Sequence, residues 1–408
     1  MNKSQYKYLS NLIKVFKKKE SSQPFYSLIG KPFENEDLIA GIETILSGRI
    51  TMSELTKKFE YKFSKYINSK YALMVNSGSS ANLLAFFSLV NPKNKTRLNQ
   101  KDECLIPALC WSTSLWPIIQ AGLKPKFVDV DVNTFNINLD DLEKNITKKT
   151  KAILAVHVLG NSTNMEKLLN IAKKHNLLLI EDTCESLGSK YKKKYLGTFG
   201  RYGTYSFFVS HQLIAGEGGM LVCNDRNDYE IAYSLRAHGW DRGLKNNKNF
   251  NFINSGFNLR PLDVTASIGL SQLNRLSKSI NIRNQNRKKL LQSIKNSPKW
   301  KNQITFLEPI KNLKPSWFGL PILIEKKFLK NKDSYLKFLN SKGIETRPII
   351  SGNFLNQPSV KLYNLNPKNK MFLGAQEIED RGFFIGLHAE SIDNAKIKKL
   401  TDILLSAL

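Results

Sequence analysis

The sequence predicts an α/β fold: a large, mixed but mostly parallel sheet covered by helices, followed by a smaller C-terminal α+β domain. Three observations carry this. Apolar runs of strand length alternate with helical stretches between Tyr71 and Cys223, and strands alternating with helices make parallel pairs joined by crossovers. The last two runs lie too close for a helical crossover, so they are expected to pair antiparallel. Two helical stretches then separate this region from a shorter set of strands and helices beginning near Lys301.

In chain order, residues 1–25 read as a basic, partly amphipathic extension, expected as a loosely held tail. Residues 26–300 read as the large domain. Its first part, Glu34 to Tyr66, carries apolar residues at helical spacing (Leu38, Ile42, Ile45, then Leu55, Phe59, Phe63), with Ser47 to Thr51 as the break between two helices. Strands are expected at Tyr71–Val75, Glu103–Leu109, Pro125–Val130, Ala152–Val158, Leu177–Ile180, Thr204–Val209 and Met220–Cys223. Helices follow at Leu262–Leu276 and Ile280–Lys295. The small domain, 301–408, is read from a strand at Trp317–Ile324, a helix at Leu329–Ser341 and a closing helix near Asn394–Leu405. There is no internal repeat.

The chain of 408 residues is long enough to bury a large core. Its formal net charge of +28 has two readings, an anionic partner or a lysine-rich composition spread over solvated faces. No RNA-recognition, zinc-finger or helix-turn-helix signature is present, so nucleic acid is not expected as a partner. No apolar run approaches a membrane span, and the basic N-terminus lacks the apolar core of a secretory signal. Cytoplasm is the default expectation. Cys104, Cys110, Cys184 and Cys223 form no CxxC pair, so neither a metal site nor an iron–sulfur cluster is expected.

Several short segments carry chemistry. Asn76 to Asn82 (NSGSSAN) follows a strand and opens a helix, where Gly78 permits close approach and free amides favour phosphate; the same pattern also serves as an ordinary helix cap. Ile180 to Gly188 (IEDTCESLG) puts Asp182 at a strand end, as a helix cap or as a functional carboxylate. Pro107 to Pro117 (PALCWSTSLWP) presents Trp111, which is either core or a stacking platform. Thr204 to Cys223 (TYSFFVSHQLIAGEGGMLVC) contains Ser206, His211 and a Gly-rich turn, and no Lys occurs from Tyr195 through Leu244.

These segments resemble those of the DegT/StrS sugar aminotransferases, which use pyridoxal 5′-phosphate (PLP) in the aspartate aminotransferase-like fold (PLP fold type I). HVLGN (from His157), RAHGW (from Arg236), PSWFG (from Pro315), IETRPIISGNF (from Ile344) and GFFIGLH (from Gly382) extend the likeness over nearly the whole chain beyond residue 25. The resemblance implies that Gly78, Ser79 and Ser206 bind the cofactor phosphate, with Asn258 reaching it from a neighbouring subunit. It implies that Asp182 pairs with the pyridine nitrogen, Trp111 stacks on the ring and Glu185 lies beside the cofactor hydroxyl, where aminotransferases carry Gln. His238, Arg260 and His388 are candidate substrate-binding residues. A homodimer with shared active sites follows from the same likeness.

His211 stands where the family carries its cofactor-binding lysine. Imidazole can take and return a proton near neutrality but cannot tether the cofactor. This exchange, with Glu185, resembles the 3-dehydratase branch of the family, although Gln212 replaces a second His found there. That branch implies an enzyme in which L-glutamate converts PLP to pyridoxamine phosphate (PMP). His211 then serves removal of the carbon-3 hydroxyl of a nucleotide-linked 4-keto-6-deoxyhexose, with GDP-4-keto-6-deoxymannose as the implied substrate. The product would be a 4-keto-3,6-dideoxy sugar for surface polysaccharide. Three alternatives stay open: a 4-aminotransferase, a cluster-dependent CDP-sugar 3-dehydrase, and a non-catalytic sensor or structural subunit.

Overall fold

The computed structural model describes residues 3–17, 24–241, 250–367 and 370–406. Strands β1 (Tyr71–Val75), β2 (Glu103–Pro107), β3 (Lys124–Val128), β4 (Thr150–Val156) and β5 (Leu178–Asp182) are separated from one another by helices. A two-residue hairpin, β6 (Lys190–Tyr191) and β7 (Lys194–Tyr195), precedes β8 (Tyr202–Ser206) and β9 (Gly219–Cys223). The main sheet has the order β1-β9-β8-β5-β4-β2-β3. Its β5–β8, β4–β5, β2–β4 and β2–β3 pairs are parallel. The closely spaced β8 and β9 are antiparallel, as are β1 and β9.

Burial explains the composition of these strands. Along β1, Leu73 and Val75 face one apolar cluster while Ala72 and Met74 face another. Along β4, Ala152, Leu154 and Val156 face the first side, and Ile153 and Ala155 a third cluster on the opposite side. With helices on both faces, no position is left for a polar alternation. The helix Glu54–Ile67 contributes Phe59 and Phe63, whose rings meet Phe207 and Tyr205 at 5.2–5.6 Å. Asp263 holds the start of that helix from a distance, accepting from the amides of Ser53 (2.8 Å) and Thr56 (3.0 Å) and from the Thr56 hydroxyl (2.6 Å).

The C-terminal unit holds β10 (Ile304–Phe306), β11 (Leu313–Lys314), β12 (Gly319–Ile324), β13 (Thr346–Arg347) and β14 (Gly382–Gly386). Its antiparallel sheet runs β10-β12-β14-β13, and β11 leaves it to join the β6–β7 hairpin. The helices Lys332–Ser341 and Asn394–Leu404 lie where the sequence predicts them.

Three expectations change. The strand expected at Thr204–Val209 runs Tyr202–Ser206: Gly203 belongs inside the sheet, where a Cβ would lie 1.9 Å from the Gly197 carbonyl, and the strand's pairing with β9 ends at Ser206–Gly219. His211 therefore sits on a turn beyond the strand. The N-terminal stretch is not a loose tail over its described part. Lys3–Lys17 is a helix that buries Ile13 and meets the helix Asn35–Leu46 through Tyr6–Glu36 (3.3 Å) and Asn35–Ser10 (3.1 Å) hydrogen bonds. Lys18 and Lys19 of the basic run lie outside the described residues. Finally, Tyr26 pairs with the C-terminal unit: its amide donates to Gly343 (2.8 Å), its carbonyl accepts from Glu345 (3.0 Å) and its hydroxyl donates to Gly386 (3.1 Å).

Candidate active site

Because β1 and β8 run in the same direction as β5, the carboxyl ends of all three open on one edge of the sheet. Ligands of open α/β sheets bind at such an edge. The chain leaving β1 turns at Ser77 into the helix Gly78–Leu89, and the Ser77 hydroxyl caps it by accepting from the Ser80 amide (3.1 Å). The Gly78 and Ser79 amides stand in the first turn, which has no intrahelical acceptors for them. A Cβ on Gly78 would strike the Ser206 Cβ at 2.6 Å and the Cys184 sulfur at 3.0 Å. Only glycine lets this helix start close onto Ser206, so an anion facing the two amides would also meet the Ser206 hydroxyl.

Asp182 ends β5 at the neighbouring position. Its Oδ2 accepts from Asn82 Nδ2 and Ser114 Oγ, both at 2.8 Å, and its Oδ1 from the Cys184 amide at 3.2 Å. Asn82 is itself oriented by the Thr204 hydroxyl, which donates to its Oδ1 at 2.6 Å. Three elements thus lock one carboxylate in a fixed direction. Trp111, just before the helix Ser112–Gln120, is 54% exposed. The packing alternative for this tryptophan falls, and its ring is available for stacking. Glu185 accepts from the Leu159 amide (3.0 Å), and burial pushes its carboxyl up to about 7, with the Asp182 charge adding to the rise.

His211 lies edge-on to Phe318 (5.1 Å between ring centres) and Phe208 (6.2 Å), with Nδ1 3.4 Å from the Ser210 hydroxyl. Burial, with the Arg283 guanidinium adding in the same direction, lowers its pKa to about 4. The resting imidazole is neutral and able to accept a proton. Gln212 takes no part in a His pair; its side-chain amide donates to the carbonyls of Glu185 (2.6 Å) and Ser316 (3.1 Å). It ties the His211 turn to the Glu185 loop and the segment entering β12.

The remaining candidates have these surroundings. Asn258 and Arg260 are exposed and hydrogen-bonded to each other (2.9 Å), while the Leu259 carbonyl accepts from Asn76 beside the phosphate-type turn. His238 is exposed in the left-handed region (φ 61°) and its amide donates to Phe257 (2.7 Å). The His388 ring stacks on Tyr26 (4.5 Å) and its Nε2 bonds the Ser27 carbonyl (2.8 Å). That ring fastens the chain near residue 26 to the C-terminal unit. The four cysteines are free thiols, and no helix among the described residues is long and apolar enough to cross a membrane.

The family model for the DegT/DnrJ/EryC1/StrS aminotransferases matches residues 33–404. The chain belongs to this family. Among its DegT-family relatives, GDP-4-keto-6-deoxy-D-mannose 3-dehydratase of Escherichia coli O55:H7 is 39% identical over 361 residues, covering 85% of this chain and 91% of the relative. The solved structure of the E. coli GDP-4-keto-6-deoxy-D-mannose-3-dehydratase with bound hydrated PLP superposes with a TM-score of 0.87 at 35% identity, covering 94% of this chain and all (100%) of that one. A second, of GDP-4-keto-6-deoxymannose-3-dehydratase with a trapped PLP–glutamate geminal diamine, gives 0.86 at 35% identity over 93% and 100%. The fold is that of the PLP aminotransferases.

Sequence reasoning passed over Asn82, Ser114, Phe318 and Arg283. Asn82 and Ser114 stand inside two of the quoted segments, and a carboxylate that must point one way needs such donors. Phe318 also stands inside a quoted segment, PSWFG, but nothing local brings it or Arg283 to His211, which they approach from distant parts of the chain.

Proposed function

We propose that this DegT-family enzyme is a PLP/PMP-dependent 3-dehydratase acting on a GDP-linked 4-keto-6-deoxyhexose, GDP-4-keto-6-deoxymannose, with L-glutamate as amine donor. The observation that carries the reading is a neutral, untethered imidazole at the position of the family's lysine, beside Asp182, Ser206 and Trp111. The cofactor, in its amine form, supplies the electron sink that allows a hydroxyl beside the keto carbon to depart. Gly78, Ser79 and Ser206 would hold its phosphate, Asp182 its pyridine nitrogen, Trp111 one ring face and Glu185 its hydroxyl. With no covalent tether available, these contacts carry the whole of cofactor binding. His211 takes up a proton at Nε2, since Nδ1 lies against Ser210, and returns it to the departing carbon-3 hydroxyl, which leaves as water. Phe208 and Phe318 flank the imidazole and keep it from rotating away.

The enzyme acts as a homodimer in which Asn258 completes the phosphate site of the partner. Two features support this reading: Asn258 is exposed in the single chain, and an exposed aromatic stack of Phe250 and Phe252 against Trp240 lies nearby in sequence. The free thiols fit a reducing compartment, and we assign the cytoplasm.

The test is mass spectrometry of the sugar nucleotide after incubation with PLP, L-glutamate and GDP-4-keto-6-deoxymannose, without a reductase. A 3-deoxy-4-keto product with release of ammonia is expected. A 4-amino sugar would restore the aminotransferase reading, and unchanged substrate would overturn the GDP sugar.

A further inference from the structure

Behind His211 lies a closed ring of buried polar groups. Arg283, on the helix Leu276–Lys295, directs Nη2 at the His211 carbonyl (3.5 Å). Asn284, next to it, donates to the Pro315 carbonyl (3.1 Å), and the Ser316 carbonyl that follows accepts from Gln212, the neighbour of His211. Four members keep buried polar atoms without any protein partner: Arg283 Nε and Nη1, Asn284 Oδ1, Gln212 Oε1 and Ser316 Oγ. Arg283 is only 7% exposed and makes no ion pair among the described residues. An unneutralised guanidinium in such a place costs stability, and costs of this kind are sustained chiefly at functional sites.

The charged and titratable groups around His211 account for a direction. Its own turn offers Phe208 and Ser210, and the segment entering β12 offers Phe318, none of them charged. Arg283 is the charged group that acts on it, and it acts also on His388, where Lys396 and Glu390 contribute with opposite signs. Burial lowers the Arg283 guanidinium itself to about 10, so it remains a cation at working pH.

Resting on the function proposed above, we infer that Arg283 is a positioning residue for the dehydration. It grips the backbone of His211 and repels positive charge on the imidazole, so that a proton taken up there moves on to the leaving hydroxyl rather than staying. In that step the Nε2–H bond breaks, an O–H bond forms and the carbon–oxygen bond breaks with its pair leaving on water, while the pair freed from the C–H bond that gave His211 its proton would reach carbon 3 through the bound cofactor. Arg283 exchanges no proton itself.

The chain has five histidines, few enough to titrate individually by NMR in ¹³C-histidine-labelled holoenzyme without sugar, with H211N assigning the signal. In wild-type enzyme and R283K, His211 should remain neutral to well below pH 6. In R283M and R283Q its midpoint should rise by about one pH unit, the smaller part of a shift led by burial, and kcat at pH 5 should fall about twofold with KM little changed. Thermal midpoints of R283M and R283Q should equal or exceed that of the wild type, because a buried charge has been removed. An unmoved His211 titration in folded R283Q or R283M would overturn the proposal. So would loss of kcat and KM together with a lowered midpoint and no rescue by R283K. The titration needs no sugar, so a wrong assignment of the sugar leaves this test intact.

Discussion

At residue scale, the proposed chemistry turns on one side chain. A lysine at position 211 would bind the cofactor covalently and carry a proton as an amine; the imidazole can do only the second. H211N should therefore leave PLP uptake, read by absorbance, close to wild type, while dehydration falls by about 10²–10⁴-fold, the usual worth of a positioned acid–base group. Loss of cofactor binding in H211N would show that the histidine is a cofactor ligand instead. The pH dependence follows from the same environment. His211 is depressed from about 6.5 to about 4, so it works as a base above its folded pKa. The acid limb of kcat/KM in the free enzyme should lie near pH 4–5, well below that of an ordinary histidine base, with the midpoint read from initial rates.

At the scale of elements, the site is made by two strand ends and a helix start brought within van der Waals contact. Gly78 needs no unusual backbone here; it needs the absence of a side chain, since a Cβ would overlap Ser206. G78A should push the helix start away from β8 and weaken PLP binding at least tenfold, about 1.4 kcal/mol, measured by titration of apoenzyme. Unchanged affinity would mean that the Gly78 and Ser79 amides do not hold the phosphate. The strand positions were legible because a sheet covered on both faces is apolar along its buried length, as Ala152–Val156 of β4 and all of β9 are. The end of β8 was not, because Phe207 and Val209 continue an apolar pattern past the point where the chain turns.

At the scale of the whole molecule, the ends of the chain meet. Tyr26, fully buried, stacks on His388 and bonds the end of β14, so the start of the large domain is anchored on the C-terminal unit. Y26A should cost about 3–5 kcal/mol of stability, seen as a lowered denaturant midpoint; a loss below 1 kcal/mol would show that this anchor is dispensable. Shared sites in a dimer make a separate, quantitative expectation. Mixing H211N with N258A, each inactive alone, should recover roughly a quarter of wild-type activity, because random pairing gives half mixed dimers with one intact site apiece. No recovery after subunit exchange would place Asn258 in its own chain's site or outside any site.

The division between sequence and structure follows from locality. Strand and helix identity, the phosphate-type turn, Asp182 at a strand end and the missing lysine all rest on residues a few positions apart, and each was readable from the chain alone. What the tertiary structure decided was which groups meet across the fold. It gave Asp182 its donors Asn82 and Ser114, set Arg283 and Phe318 against His211 and made Gln212 a strut. It also set His388 against Tyr26. Burial and long-range contact set these roles, and neither is encoded in the spacing of neighbouring residues.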